Sequence, residues 1–573
     1  MHRRRRGLVL IAPAIALVMA LGACSSAGGN GQGGDTAEAP GVQAVTINKT
    51  PRSEIKDGGT LRWPIEQFST QWNYNHLNGP EVSTADVMYA MMPSPYRVTA
   101  EGVPELNPNY VTDVRVRRDP QQVVTYVLNP KAEWYDGTPI TWKTYRAQWQ
   151  ALNGENKAYQ VASTTGYDQI ASVEKGEDKF HVVVTFEKPY ADFESLFSPL
   201  YPVTTNSDPQ VFNEGWLSEI RTTAGPFKLS KIDKAAKTIT LVRNEKWWGP
   251  RAKLDKIVFV NMSPDAMQGA FANGAIDFFD VGADSGAYKR AKQVPNTDIR
   301  VAGAPNFRHF TLNGRSPVLS DVKVRRAVAL SINRKALVQS DLKGLPWPDK
   351  VLNNHLYLPN QKGYRDNTGR IGKYDPKQAR KLLDEAGWTG QNGIRTKDGK
   401  KLELTFLIPT GVSTSENEAK LTQTMLKEIG IKVDIKAVPT NTFFDKYVSP
   451  GNFDIVPFSW IGTAFPSSSS SIYAKPTQGE NGLKIQQNFA RIGSEEIDRL
   501  FNKAGQTLNP EKSRKLYNRI DKLIWDEVHS LSLYQRPEII ACNADLANFG
   551  AFGFFSGSTS GGTPIYENVG FVK

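Results

Sequence analysis

"LELTFLIPTGVSTSENEAKLTQTMLKEIGIKVDIKAV", residues 402–438, decides the fold. Leu402, Leu404, Phe406 and Ile408 recur at every second position, the period of a strand. Ala419, Met425, Leu426 and Ile429 line one side of a helix that Gly430 closes. Ile431, Val433, Ile435 and Ala437 alternate again, and "FDIVPFSW" (453–460) makes a third strand. Strand, helix and strand in this order build an α/β layer. Ligands of open α/β sheets sit beyond the carboxyl ends of the strands. Here those ends are Pro409–Thr410–Gly411 and Ser459–Trp460–Ile461–Gly462. The second runs into Thr463, Ala464, Phe465, Pro466 and the serines 467–471, read here as a loop that rims a cleft.

The flanks extend the same lobe. "YDPKQARKLLDEAGW" (374–388) is a punctuated helix. Asp375 caps it, Pro376 suits its first position and Gln378 completes a capping box. Ala379, Leu382, Leu383 and Ala386 form its apolar face, and Gly387 stops it. "SDVKVRRAVALSINRKALV" (320–338) carries Val324, Ala327, Val328 and Ile332 at helical spacing. Capped helices start at Ser494 and at Asn509–Pro510. The first half is different. "TLRWPI", "QVVTYVLNP", "FHVVVTFEKP" and "TITLVRNEKWWG" read as strands with few long helices between them. "WYDGTP" (134–139) reads as a structural turn, because Asp-Gly is a turn signal.

The N-terminus reads as an export signal. Arg3–Arg6 precede an apolar run, Gly7–Ala20, broken by Pro13. That run falls short of the roughly 20 residues of a membrane span and fits a secretory leader. Leu21, Gly22, Ala23 and Cys24 form a lipobox, with Cys24 the lipidated residue and residues 1–23 the signal peptide. Residues 24–57 are rich in Gly, Ser, Ala and Pro and read as a flexible tether. The folded body is thereby expected outside the cytoplasmic membrane, lipid-anchored to it.

Composition narrows the function. About 550 residues follow the leader, enough for two to four domains. The net charge is +12; Arg3–Arg6 carry four of those charges, and residues 1–23 hold no acid, which leaves +8 on the chain from Cys24. That is a thin basic surface with no long Lys/Arg block, so no nucleic-acid partner is expected. Cys542 is the one other cysteine, which excludes a disulfide within the body and reads as a buried strand residue. The histidines at 2, 76, 181, 309, 355 and 529 lack zinc-ligand spacing, so neither a metal nor a cofactor is expected. "GSTSG" (557–561) puts Thr559 where a nucleophile elbow needs Ser, and no phosphate-binding loop or H-E-x-x-H helix occurs. A non-enzyme is expected.

Five blocks, in order, resemble one family, the extracytoplasmic solute-binding proteins of peptide-type ABC importers (family 5). They are "TYVLNPKAEWYDGTPITWKTYRAQW", "TAGPFKLSKIDKAAKTITLVRNEKWWG", "FTLNGRSPVLSDVKVRRAVALSINRKALV", "YDPKQARKLLDEAGW" and "EIDRLFNKAGQTLNPEKSRKLYNRIDKLIWDEVHSLSLYQ". The resemblance spans the body from about Gly58. It implies an α/β, two-lobe periplasmic-binding-protein-like fold of type 2, with an extra N-terminal subdomain and a hinge. Lobe I is then residues 58–85, 205–308 and 536–573, the extra subdomain 86–204, and lobe II 309–535. The implied function is a membrane-anchored substrate-binding lipoprotein that captures oligopeptides or a related solute in the cleft by clamshell closure. The implied partners are ABC permease subunits, and the expected state is a monomer. "ASTTGYDQIASVE", "LFSPLYPVTTNSDPQVFNEGW" and "TQWNYNHLNG" also resemble an actinobacterial LpqW-like subgroup. That offers an alternative, a non-transport lipoprotein that binds an envelope glycolipid and regulates its synthesis.

Cleft candidates follow from chemistry and from the resemblance. Gln71, Trp72, Trp460 and Tyr534 lead, since Trp and Tyr offer rigid faces with one polar handle. Arg308 and Phe465 join them. In peptide receptors of this family an aspartate often follows the Trp that ends the lobe II strand and pairs with the peptide's α-ammonium. Here Thr463 holds that place, and no acid occurs from Ile461 to Ala474. A buried ammonium without a partner is costly, so the resemblance disfavours a free peptide N-terminus at that point.

Overall fold

The structure is a computed structural model that describes residues 43–390, 393–479, 482–559 and 562–573. The leader, the lipobox and Cys24 lie outside the described residues. Among the described residues no helix is long and apolar enough to cross a membrane.

The opening stretch forms the expected βαβ unit. Strands Glu403–Pro409 and Lys432–Val438 run parallel through seven register pairs, joined by the helix Ser413–Lys427. Strand Ile455–Trp460 also runs parallel to Glu403–Pro409, at Phe406↔Ile455. Two antiparallel strands complete a five-stranded sheet: Phe307–Leu312 pairs with Ile455–Trp460 and with Ser530–Gln535. Phe310, Phe406, Leu404, Ile455 and Leu531 are buried on this sheet, against helices Val322–Ser331 and Pro376–Glu385.

Caps behave largely as the sequence predicts. Asp375 accepts from the Gln378 N–H at 2.9 Å, and Gly387 takes φ +83°. Gln378 contributes only that backbone N–H, so the expected capping box is half made. Ser494 and Asn509 cap helices Glu495–Gly505 and Pro510–Glu527. In the "WYDGTP" turn, Gly137 takes φ +85° and Thr138 N–H donates to Asp136 at 2.9 Å.

Among the described residues the other half holds three larger sheets and two short two-stranded ones. Thr60–Ile65 runs parallel to Lys256–Asn261, which continues antiparallel into Thr238–Arg243 and Phe227–Asp233. Val111–Arg117, Val123–Leu128, His181–Phe186 and Ile170–Lys175 form an antiparallel sheet with helix Trp142–Leu152 against it. Glu538–Asn543 lies between Phe278–Asp280 and Thr297–Ala302. Cys542 on that strand is fully buried, and burial pushes its thiol up to about 12.

The chain crosses twice between this half and the five-stranded sheet, from Ala302 to Phe307 and from Gln535 to Glu538. The crossings run side by side. Gln535 Nε2 donates to Ala304 O at 2.8 Å, and Arg536 N–H to Asn306 O at 2.8 Å. Paired crossings of this kind form the hinge of a two-lobe fold.

The tether differs from expectation at its end. Thr46 exchanges backbone hydrogen bonds with Ala551 at 2.8 and 2.9 Å, and Ile55 is fully buried. Residues 43–57 are thus pinned to the body by backbone pairing, which a reading of side-chain composition does not register.

Candidate functional site

The two halves meet at the crossings, beside the end of strand Ile455–Trp460. Trp460 ends its strand half-buried, with its orientation fixed by two near-parallel rings. Phe489 stacks at 5.7 Å and 5°, and His309 at 5.8 Å and 12°. Burial holds His309 well below its ordinary pKa, so that partner is neutral. Thr463 starts a turn: its hydroxyl accepts from Phe465 N–H at 3.1 Å and lies 2.9 Å from Ser468 Oγ. Phe465 itself is buried.

Arg308 and Tyr534 lie beneath that lip, buried on adjacent strands. Arg308 Nε donates to Glu418 Oε1 at 2.9 Å, while Nη2 donates to Glu418 Oε2 and to Ser415 Oγ at 2.8 Å. This two-point pair locks the guanidinium onto helix Ser413–Lys427. Burial and then Glu418 push the nearby Asp341 carboxyl up to about 9. Asp341 Oδ2 is buried and, among the described residues, has no hydrogen-bond partner.

Gln71 and Trp72 sit elsewhere. Gln71 is buried, its amide donating to Asn213 O at 2.8 Å and its carbonyl accepting from Asn73 N–H at 2.9 Å. Trp72 is 1% exposed, and its carbonyl accepts from Tyr201 OH at 2.7 Å. The structure therefore brings Arg308, Trp460, Thr463, Phe465 and Tyr534 to one neighbourhood, and leaves Gln71 and Trp72 apart from it, buried against Tyr201 and Asn213 of the other half.

The serine run is ordered. Residues 466–469 form a 3-10 turn and 470–473 a helical turn, with Ser467 and Ser471 buried. Ser467 Oγ donates to Asp192 Oδ2 at 2.5 Å and lies 2.8 Å from Tyr190 OH. Thr165 Oγ1 meets Ser470 Oγ at 2.6 Å, and Ala191 N–H donates to Gly505 O at 2.7 Å. The two halves also meet where Phe68 N–H donates to Asn441 Oδ1 at 3.0 Å and where Ser413 Oγ donates to Asp265 at 2.9 Å.

Several acids at the crossings escape the sequence reading. Glu538 accepts from Gly553 N–H at 2.8 Å, and burial pushes it up to about 8. Burial likewise pushes Asp86 up to about 7 and Glu81 up to about 8. Glu66 presents open surface, yet protein surrounds it closely enough that burial raises its carboxyl too. Among the described residues no group of three ligating side chains could hold a metal.

A pocket of about 350 Å³ lies away from this neighbourhood, on the "WYDGTP" turn, lined by Trp134, Thr138, Trp142, Lys143, Lys179 and Val203. It lies on the antiparallel-sheet body, far in the chain from every residue at the crossings.

Comparison with known proteins bears on the whole chain. The model of a family described as bacterial extracellular solute-binding proteins, family 5 Middle, matches residues 105–482. The chain is 37% identical over 551 residues to the oligopeptide-binding protein OppA of Mycobacterium tuberculosis (strain ATCC 25618 / H37Rv), covering 95% of this chain and 91% of that one. It is 25% identical over 380 residues to the probable monoacyl phosphatidylinositol tetramannoside-binding protein LpqW of the same organism, covering 61% and 59%. Among solved structures, the oligopeptide-binding protein AppA of Bacillus subtilis, in complex with a nonapeptide, superposes with a TM-score of 0.79 at 20% identity. That match covers 91% of this chain and all of AppA, and it carries the fold.

Proposed function

The chain belongs to the bacterial extracellular solute-binding proteins, family 5, and from that membership we propose that it captures oligopeptides by closing two lobes on them. It is a solute-binding protein of an ABC importer, and it acts outside the cytoplasm. The observation that carries the peptide reading is the 37% identity to OppA along 95% of the chain. The glycolipid alternative rests on a relative of lower identity and about two thirds of that span.

In this reading lobe I comprises residues 58–85, 205–308 and 536–573, the extra subdomain 86–204, and lobe II 309–535. The sheet partition supports that division, since each sheet draws nearly all its strands from one of the three bodies. Trp460, Thr463 and Phe465 form the lip of lobe II, and Arg308 and Tyr534 brace it from below. Gln71 and Trp72 shape the wall of lobe I. Cys24 carries the lipid anchor that holds a monomer near its permease, and the protein performs no catalysis.

Isothermal titration of the purified protein separates the readings. A pool of unblocked hexapeptides is expected to bind, and a phosphatidylinositol mannoside is not. Binding of the mannoside alone would overturn the peptide reading.

A further inference from the structure

The "WYDGTP" turn (134–139) does more than reverse the chain, because it forms one side of the pocket of about 350 Å³. Every residue that lines this pocket falls between 134 and 204, so no wall comes from the body that carries the five-stranded sheet. The walls are fixed by backbone bonds. Trp134 N–H donates to Thr138 O at 2.8 Å and closes the turn, and Trp142 N–H donates to Lys179 O at 3.1 Å and ties two sides of the rim together. A preformed, largely apolar pocket of this volume has the size that takes a small molecule.

The polar groups of the lining are donors that lack acceptors. Trp134 is 2% exposed, yet its indole nitrogen retains open surface, and among the described residues its N–H donates to no group. Thr144 is buried as well. Its hydroxyl accepts from Thr141 N–H at 3.3 Å and, among the described residues, donates to none. Lys143 and Lys179 stand exposed on the rim, and neither side chain forms a hydrogen bond or an ion pair with a described residue. Arg146 adds a third unpaired cation, 5.5 Å from the centre of the Trp142 ring. The one acid of the lining, Asp136, already has an oxygen engaged by Thr138 N–H at 2.9 Å. An exposed lysine needs no explanation. A buried indole N–H without an acceptor, in the same pocket as two free ammonium groups, does.

Unused donors select an anion, and indole faces select a flat apolar body. We propose that this pocket is a second ligand site, outside the solute cleft, and that it takes an aromatic carboxylate. The ring lies against Trp134 and Trp142, and the carboxylate accepts from the Trp134 N–H and from the Lys143 and Lys179 ammonium groups. The site goes beyond peptide capture and does not depend on it.

The full chain is titrated calorimetrically with 2-naphthoate and with its neutral analogue 2-naphthamide. The carboxylate is expected to bind at least tenfold more tightly than the amide. The double variant K143Q/K179Q should erase that preference. V203E, an acid placed on the exposed wall, should weaken naphthoate at least tenfold and leave the amide unchanged. All three positions are exposed, so both variants are expected to melt as the wild type does. Neither should change the binding of an unblocked hexapeptide pool, which sets the pocket apart from the cleft. No binding of naphthoate up to about 1 mM overturns the site. So does equal affinity for the two probes, or a preference for naphthoate that either variant keeps.

Discussion

Arg308 illustrates how a residue at a cleft can belong to its frame. Its guanidinium meets Glu418 at two points and Ser415 at a third, all out of solvent. Removing one partner of a buried pair leaves the other uncompensated, which costs roughly 3–5 kcal/mol. R308M is therefore expected to lower the urea midpoint of unfolding sharply. An unchanged midpoint with weakened peptide binding would instead make Arg308 a ligand contact. Asp341 beside it gives a pH signature. Its folded pKa stands near 9, above the unfolded value, so its contribution favours the fold at low pH and is lost as pH rises toward 9. D341N removes that loss. Stability measured at pH 8 should rise, with little gain at pH 4. Sequence could point to Arg308 but not to its commitment, because Glu418 lies 110 residues away and only the sheet brings them together.

Among the elements, strands and helices with strong periodicity were legible and sparse segments were not. Residues 402–438 carry period 2, then 3.6, then 2, and they fold as a parallel pair with its crossover helix. The serine run has no apolar period, so it reads as a loop. It is ordered because Ser467 and Ser471, one helical turn apart, both turn inward. Residues 43–57 read as tether for a related reason, since backbone pairing and polar side chains such as Asn48 and Arg52, rather than an apolar period, hold them to the body. The docking of the serine run also has a functional consequence. Asp192, Tyr190 and Thr165 meet Ser467 and Ser470 across the two halves, a set of short bonds that must open before a solute leaves. A hydrogen bond to a charged group contributes about 1.5–3 kcal/mol. S467A is expected to speed peptide dissociation about tenfold or more in stopped-flow measurements while association changes little. Equal dissociation rates would show that the contact is not part of closure.

At the scale of the molecule, the two crossings between sheets set what can move. They are hydrogen-bonded to each other through Gln535, Ala304, Asn306 and Arg536, so they bend together as one hinge. The two-lobe architecture was legible from five sequence blocks. The acids Glu81, Asp86 and Glu538, whose carboxyls burial raises, were not, because they come from separate segments that the fold alone assembles. That the protein captures a peptide is tested most directly by native mass spectrometry of the full chain, purified from its own host and sprayed with its retained ligand. The account predicts a heterogeneous set of added masses that fragment as peptides and exchange when an unblocked hexapeptide pool is added. A single glycolipid mass that no peptide displaces would contradict it.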